Sequence, residues 1–402
     1  MIKILFVDDE PNVLEGLQRL LRPMRNEWYT QYVESGTDAL ELLEQSEFDV
    51  VVSDVKMPEI DGVELLSEVR TRYPSIIRIA LSGHSDRQSI IRSLASTHRF
   101  LSKPCDPETL KSAITAACAL RAMLGNDNLR TIVSGMDVLP SPAGVSQQLN
   151  RELASPEISI SRIAMIIGKD PAIAAKILQM ANSAFFGVRN KVSSLSQAVS
   201  VLGIDSVKML LSVTEIFSVF NSDISNKANT INIYEHSLRV GNLVRELAKA
   251  EGLPAHSLED AVAAGLLHDI GKLVLAWKSS AKFAKYNSMM KQEQLSCCEA
   301  ENLVFGTTHA EVGAYLLGLW GLPEIVVEVL AFHHTPSLSG GSVISPLTVV
   351  HFANAYDYMN DKTTLESNLD MEYLSNPAFV DKIPYWKSIC DEASGSGLSK
   401  SA

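Results

Sequence analysis

The chain has 402 residues, room for two domains of ordinary size, and 46% of them are apolar, so each domain can bury a core. A net charge of −12 with no Lys/Arg cluster argues against nucleic acid as a partner, and no apolar run is long enough to span a bilayer. The five cysteines form no CxxC pair and Met1-Ile2-Lys3-Ile4 reads as a strand rather than a signal peptide, so a cytoplasmic chain with reduced thiols is expected, the adjacent Cys297-Cys298 serving as helix filler.

In chain order, Ile2–Val7 is an apolar strand ending in Asp8-Asp9-Glu10, and Pro11 opens a helix to about Leu21. A strand at Trp28–Val33 precedes Gly36 and a helix to Gln45. The run Val50-Val-Val-Ser-Asp54 reads as a buried parallel strand that delivers one carboxylate to its C-terminal end. Met57-Pro58 and Asp61-Gly62 turn the chain into a helix starting near Val63. Ile76–Leu81 is a fourth strand ending at Ser82-Gly83, and Phe100-Leu101 a fifth ending at Ser102-Lys103-Pro104. Asp106 and Pro107 are the N-cap and first residue of a last helix, Leu110–Leu124. Five βα units predict a doubly wound parallel sheet. His84 and His98 read as surface residues.

In such a sheet the ligand site lies beyond the carboxyl ends of the strands. That edge collects Asp8, Asp9, Asp54, Ser82 and Lys103. Three carboxylates in one pocket need a counter-charge, and a hard divalent cation such as Mg²⁺ suits oxygen ligands. Lys103 is a second counter-charge, Ser82 a hydrogen-bond donor, and Asp54 the carboxylate placed to accept phosphorus as an acyl phosphate. The set Asp-Asp, Asp-x-x-Met-Pro-x-x-Asp-Gly, Ser-Gly and Lys-Pro resembles the receiver domain of two-component response regulators over about Met1–Leu124. The resemblance implies a flavodoxin-like fold and phosphorylation of Asp54 by a sensor histidine kinase. It also implies Mg²⁺ held by Asp9 and Asp54, by Asp8 through water and by the Lys56 carbonyl. Ser82 and Phe100 would form the switch, Lys103 the phosphoryl counter-charge, with a cis bond before Pro104.

Residues 125–137 are a polar linker, which the last receiver helix enters at Leu129–Val133. Strand patterns then disappear. Helices are expected over Ala143–Leu153, Ile160–Ile167, Pro171–Asn182, Ser196–Leu202, Ser206–Phe220, Ile231–Ala250 and Leu258–Trp277. Others follow over Cys297–Val304, His309–Trp320, Pro323–His333 and Pro346–Met359. Asp170-Pro171 is an N-cap pair, and Gly187, Gly203 and Gly252 are stops. Leu139-Pro-x-Pro, the block Ile166–Gly187, Ser194–Ala198 and Val201-Leu-Gly-Ile together look like the HDOD domain, an all-α signalling module related to HD phosphohydrolases. In the Asp170–Gly187 block, Ala and Gly imply tight helix packing with Phe185-Phe186 as core anchors.

Seven of the nine histidines lie in this second domain. Leu266-Leu-His-Asp-Ile-Gly-Lys-Leu places His268 and Asp269 together, with Gly271 breaking the helix and Lys272 as a helix-end cation. Imidazole and carboxylate ligands suit Fe, Mn, Zn or Ni, and such a metal could activate water against a phosphoester. The order His236, His268, Asp269, His309, His333, His334 resembles the ligand order of the HD-GYP cyclic-di-GMP phosphodiesterases. Two departures count against catalysis. Asn354 stands where that branch has its last Asp, and Thr335-Pro-Ser-Leu-Ser-Gly-Gly replaces the Gly-Tyr-Pro loop. Three readings stay open: vestigial histidines hydrogen-bonded in a core, a transition metal held without hydrolysis, or an active phosphohydrolase.

The expected organisation is receiver 1–124, linker 125–137, HDOD helical domain 138–360 and a partly disordered tail 361–402. The expected function is a phosphorelay response regulator, a phosphoprotein whose non-catalytic HDOD output acts through an unidentified protein partner, without nucleic acid or membrane. The alternative is a receiver-gated HD-type phosphodiesterase. A homodimer through Phe100 and the Leu110–Leu124 helix is a further expectation.

Overall fold

The computed structural model describes residues 1–83, 96–103, 105, 107–123, 127–133, 136, 139–141, 143–155, 157–183, 186, 188, 190–212, 217–219, 224–292, 295–339, 341, 343–359 and 365–398. His84, Pro104, Asp106, Phe185 and Gly187 lie outside them.

Five parallel strands form the first sheet: β1 (Ile2–Val7), β2 (Trp28–Val33), β3 (Val50–Asp54), β4 (Ile77–Ser82) and β5 (Arg99–Ser102), in the order β2-β1-β3-β4-β5. Phe6 lies opposite Val52, Val52 opposite Ile79 and Ser82 opposite Ser102. β3 and β4 are buried along their whole length, which is why they read as unbroken apolar runs. The chain reverses its winding between β1 and β3, so Asp8 and Asp54 meet at the topological switch point. The loop beyond β3 is held by two close features. Glu59 takes φ +64°, after Pro58 in a tight turn. A Cβ on Gly62 would lie 1.8 Å from the Asp54 carbonyl oxygen, so only glycine lets this backbone pass.

One finding differs from the expected surface. His98 is 5% exposed. Its Nδ1 accepts from the Arg78 amide at 3.0 Å and its Nε2 lies 3.1 Å from the Arg78 guanidinium. Burial, then Arg78 and Lys176, push its pKa well below the ordinary value, so it is a neutral acceptor in the core. Arg78, fully buried in β4, also donates to the carbonyls of Ser96 and Ile76.

The second domain is mostly helical, yet strands do not vanish after Leu139. β6 (Leu139–Ser141) pairs in parallel with β7 (Phe217–Val219). The helix expected over Ser206–Phe220 is instead Ile204–Ser212, and the chain then enters β7; three residues of strand carry too little period to be read. The expected Leu258–Trp277 helix is two, Ala255–Leu267 and Ile270–Lys278, separated at His268-Asp269. A helix at Ser280–Gln292 lacked a clear apolar stripe. Residues 365–398 carry four helices, the last Ile383–Leu398, and bury Leu374, Phe379, Trp386 and Cys390. That segment packs on the core, and the helix runs past Ser394, where the disordered part of the tail was expected to start; Trp386 stacks edge-on against Phe352.

Helix Pro171–Ala181 is buried on every side. Its Asp170 N-cap accepts from the amides of Ala172 and Ile173 at 2.8 and 3.2 Å and from the Ser141 hydroxyl. Burial pushes the Asp170 carboxyl up to about 6, against the hydrogen bonds from Ser141 and the amides. A raised folded-state pKa gives stability that is complete below the unfolded value and lost as pH rises through about 6. Asp170→Asn keeps a cap acceptor without the charge. Its stability relative to the parent should rise by about 2 kcal/mol between pH 4 and pH 7, read from urea midpoints.

The two domains touch through β5. Helix His309–Leu319 of the second domain packs on receiver helix Pro107–Met123 and on the following helix Asp127–Val133. The Arg99 guanidinium donates to the carbonyls of Gly318 at 2.9 Å and Leu319 at 3.2 Å, the C-terminal end of that helix. A cation there satisfies carbonyls that no helical N–H reaches. The Asp170–Gly187 block also serves this contact. Gln179 donates to the carbonyls of Thr97 and His98, both at 3.4 Å, and fully buried Lys176 donates to Gln179 and lies 3.8 Å above the Trp320 ring. Phe186 is only half-buried, packed at the edge of the core rather than anchoring it.

Candidate functional site

In the first domain, ligand oxygens of Asp8, Asp9 and Asp54 lie within 4.8 Å of one another. Lys103 Nζ reaches across to Asp8 Oδ2 at 2.6 Å and Asp54 Oδ2 at 2.8 Å. Asp54 Oδ1 accepts from the Val55 amide at 2.7 Å, which leaves Oδ2 facing the pocket. Burial raises the Asp54 pKa, with Lys103 acting against it. Burial works against the Lys103 ammonium, but Asp54 and Asp8 outweigh it and hold its pKa above the ordinary value. Ser82 ends β4 beside this group, Lys56 follows β3, and Phe100 is buried in β5. Three carboxylates against one ammonium leave net negative charge in a small oxygen-lined pocket, a donor set that fits Mg²⁺.

In the second domain, His236, His268, Asp269, His309, His333, His334 and Asn354 come together from five stretches of chain. Their ring nitrogens are sorted. His268 Nδ1 bonds the Gly265 carbonyl and His333 Nδ1 the Leu330 carbonyl, each at 2.8 Å. His236 Nδ1 meets Asp357 and His309 Nδ1 meets Glu301, each at 2.7 Å. Carbonyl and carboxylate partners fix these Nδ1 atoms as donors and turn every Nε2 inward. The inward nitrogens crowd: His236–His268 3.2 Å, His309–His333 3.2 Å and His309–His334 3.1 Å. Asn354 Oδ1 lies 3.0 Å from His236 Nε2. Asp269 Oδ1 is buried and accepts no well-aligned hydrogen bond, although His309 Nε2 is 3.2 Å away. A buried carboxylate oxygen ringed by inward-facing imidazole nitrogens is the ligand arrangement of a cation site, where an ion would displace any proton held on those nitrogens. The residues present therefore fit a transition metal.

Charge is unevenly spread. Burial opposes the Asp269 carboxylate, yet Lys272, His268 and His309 hold its pKa well below the usual range. Burial likewise opposes the His309 imidazolium, and Glu301 outweighs it, lifting the pKa to about 9. Burial takes His268 down to about 3. Lys272 is not a helix-end cation. It is 4% exposed, 2.8 Å from Asp269 Oδ2 and 2.6 Å from the Tyr358 hydroxyl. Tyr358 tilts over His236 with ring centroids 4.5 Å apart. Beside them opens a cavity of about 280 Å³ lined in part by Arg239, Lys272, Tyr286 and Tyr358.

Glu301, Asp357 and Tyr358 are participants that sequence reasoning missed. Asp357 lies one turn beyond Asn354, so its shared face was legible. It does not replace the missing carboxylate ligand: one oxygen takes His236 Nδ1, and both carboxylate oxygens engage Arg239. Glu301 reaches His309 across the Gly306 turn, which no spacing rule anticipates.

Gly271 does not break the helix; it sits in the first turn of Ile270–Lys278. A Cβ there would lie 2.0 Å from the His309 carbonyl oxygen. Glycine is what lets the His309 helix approach the His268-Asp269 turn. Gly271→Ala must force backbone from backbone and should destabilise the second domain by about 3 kcal/mol, read as a lowered urea midpoint.

A parallel α/β domain with a carboxylate pocket at its switch point, joined to a helical domain with a histidine cradle, defines a two-part signalling chain. Residues 4–115 match the response regulator receiver domain and residues 139–336 match the HDOD domain. An uncharacterized protein of Treponema pallidum is 26% identical over 224 residues, 56% of this chain and 43% of that protein. The hydrogenase transcriptional regulatory protein HoxA of Cupriavidus necator is 34% identical over 125 residues, 31% of this chain and 25% of that protein. The receiver domain of an HD domain-containing protein from Pseudomonas fluorescens is 34% identical, covering 30% of this chain and 98% of that one, with a TM-score of 0.29. The matched stretches thus span less than half of these curated relatives. The chain is a response regulator of the two-component class, a receiver domain followed by an HDOD domain. Among the described residues no helix is long and apolar enough to cross a membrane.

Proposed function

We propose that Asp54 is the phosphoacceptor and that the helical domain is a non-catalytic output, coupled to the receiver through helix His309–Leu319. In the receiver, Asp54 Oδ2 attacks the phosphorus of a donor, a sensor histidine kinase in the cell. The donor's bond to phosphorus breaks and an acyl phosphate forms. Lys103 takes a phosphoryl oxygen and Ser82 donates to another. Asp8, Asp9, Asp54 and the Lys56 carbonyl would hold Mg²⁺, which supplies positive charge against the transferring group.

The observation that carries the coupling is the Arg99 fork on Gly318 and Leu319, one residue from Phe100. The same helix begins with His309 in the cradle. A change in Phe100 packing moves Arg99, and a rigid helix passes that shift to the cradle. A cavity of about 550 Å³ beside Phe100, between the domains, gives the switch room. This docking covers the face on which a homodimer was expected. Pairing of receivers would therefore compete with docking, and phosphorylation would favour the pair by freeing the face. The output is then a surface offered to a protein partner.

The intact cradle favours a second reading, metal-assisted phosphoester hydrolysis. Asn354 and Lys272 weigh against it. The ligand group His236, His268 and Asp269, beside Asn354, holds one carboxylate, already paired with Lys272, and a neutral amide gives the metal no charge. A cavity of about 280 Å³ is at the lower end for any small molecule, and no Gly-Tyr-Pro loop orients a dinucleotide. With phosphorylated protein and Mn²⁺ or Fe²⁺, no linear product should form from cyclic-di-GMP. Turnover that disappears in His268→Ala and Asp269→Ala would replace the non-catalytic reading with the enzymatic one.

A further inference from the structure

Cys297 and Cys298 open helix Cys297–Phe305, behind a complete Ser296–Glu299 capping box. They were expected as filler. The fold instead brings both sulfurs against the outer half of the cradle, with His309 and His334, all four ligand atoms within 4.8 Å of one another. The edges of this group can be compared with those of a tetrahedron. With Zn–S of about 2.3 Å and Zn–N of about 2.05 Å, a tetrahedral ion needs edges of about 3.8 Å for S–S, 3.5 Å for S–N and 3.3 Å for N–N. The structure has 3.9 Å between Cys297 Sγ and Cys298 Sγ. It has 3.6 Å from Cys297 Sγ to His334 Nε2 and 3.1 Å from His334 Nε2 to His309 Nε2. These three edges agree within a few tenths of an ångström, and the other three are no longer than 4.8 Å, before any ion pulls the group together.

We propose that Cys297, Cys298, His309 and His334 form a thiolate–imidazole site for a thiophilic divalent cation, Zn²⁺ foremost. Three further features support it. His309 is oriented as a ligand by Glu301 on its other nitrogen, the usual outer partner of a metal-binding imidazole. Both cysteines lie in the first turn of a helix, where N–H groups and the dipole offset part of the cost of a buried thiolate, and an ion would supply the positive charge for the second. Two thiolates also supply the negative charge that Asn354 withholds from the other half of the cradle. Sulfur ligands shift the choice of metal from Fe or Mn toward Zn. Four ligands close the coordination sphere, so this ion is structural, clamping helix Cys297–Phe305 to the start of His309–Leu319 and to the turn after Glu324–Phe332. His309 Nε2 has one lone pair, so an ion here takes His309 from Asp269 and His333. The site stands on geometry independent of whether the cradle has any hydrolytic activity.

The test uses the full chain, reduced and stripped with a chelator, then titrated with Co²⁺ and with Zn²⁺. Co²⁺ should bind with a thiolate-to-metal charge-transfer band and the intense visible bands of a tetrahedral centre. Zn²⁺ should displace it and protect both thiols from alkylation. Cys297→Ser and Cys298→Ser should each weaken Zn²⁺ in chelator competition by more than about 100-fold and remove charge-transfer intensity, with unchanged far-ultraviolet circular dichroism. Asn354→Ala, in the other half of the cradle, should leave the band in place. Co²⁺ binding without a charge-transfer band, a band that survives in the double serine variant, alkylation at equal rates with and without Zn²⁺, or a Cys297–Cys298 disulfide that persists in reductant would each overturn the proposal.

Discussion

Asp54→Ala is expected to reduce phosphoryl labelling from a small-molecule donor in Mg²⁺ to background, the largest effect foreseen for any single change in this chain. Asp8 is wholly buried, and its Oδ2 faces Lys103 at 2.6 Å. Asp54 alone ends a strand with one oxygen fixed by the Val55 amide and the other turned into the pocket. Burial raises its pKa, and the Lys103 ammonium 2.8 Å from Oδ2 acts against that rise in favour of the carboxylate. Truncation removes one of three mutually repelling carboxylates, so the fold should survive and the lost labelling should report chemistry. Undiminished labelling of the variant, followed by mapping of the phosphate to Asp8 or Asp9, would contradict the assignment.

Arg99→Ala should separate the domains. The side chain is half-buried between them and gives three hydrogen bonds to carbonyls, those of Gly318 and Leu319 across the interface and that of Ala113 within the receiver. Burial lowers the Arg99 pKa from its ordinary value, with Glu324 acting against that; a guanidinium stays charged regardless. Removing a half-buried, hydrogen-bonded charge from an interface costs about 2 kcal/mol, the low end for such groups, so the docked-to-undocked ratio should fall by at least about tenfold. The radius of gyration should grow, and proteases should cut more readily between Met123 and Leu139. Labelling at Asp54 should persist, because the pocket lies at the other edge of the residues that Arg99 touches. Lys in place of Arg99 should recover only part of the docking, since an ammonium cannot fork across two carbonyls. A variant as compact and as protease-resistant as the parent would show that the contact carries no weight.

Much of the receiver was legible because its physics is local. Ile2–Val7 and Val50–Asp54 are buried parallel strands and read as apolar runs, and Pro11, Gly36 and Pro107 mark helix starts that the structure keeps. The seven-residue cradle was legible as a ligand order, although sequence alone gave no distances among its members. What escaped was set by contacts distant in the chain. His98 looked like a surface residue beside Arg99, yet Arg78 from β4 and Gln179 from the second domain enclose it. Lys272 looked like a helix-end charge until Asp269 and Tyr358 folded onto it. The Leu258–Trp277 pattern stayed periodic through His268-Asp269, so the break was invisible as hydropathy and obvious only as a turn held by Gly271 against His309. Residues 365–398 have short helices with too few turns to show a stripe, but they fill the floor of the second domain. The two cysteines became interesting only when the helix they begin was placed against His334.

The coupling of receiver to cradle through one helix is measured most directly by hydrogen exchange over His309–Trp320 in the full chain, with and without phosphorylation. Phosphorylation should change amide protection in this helix, most strongly toward Gly318–Trp320, and Arg99→Ala should produce the change without phosphate and remove any further response. Protection that is the same in both states, while Asp54 is fully labelled, would contradict it.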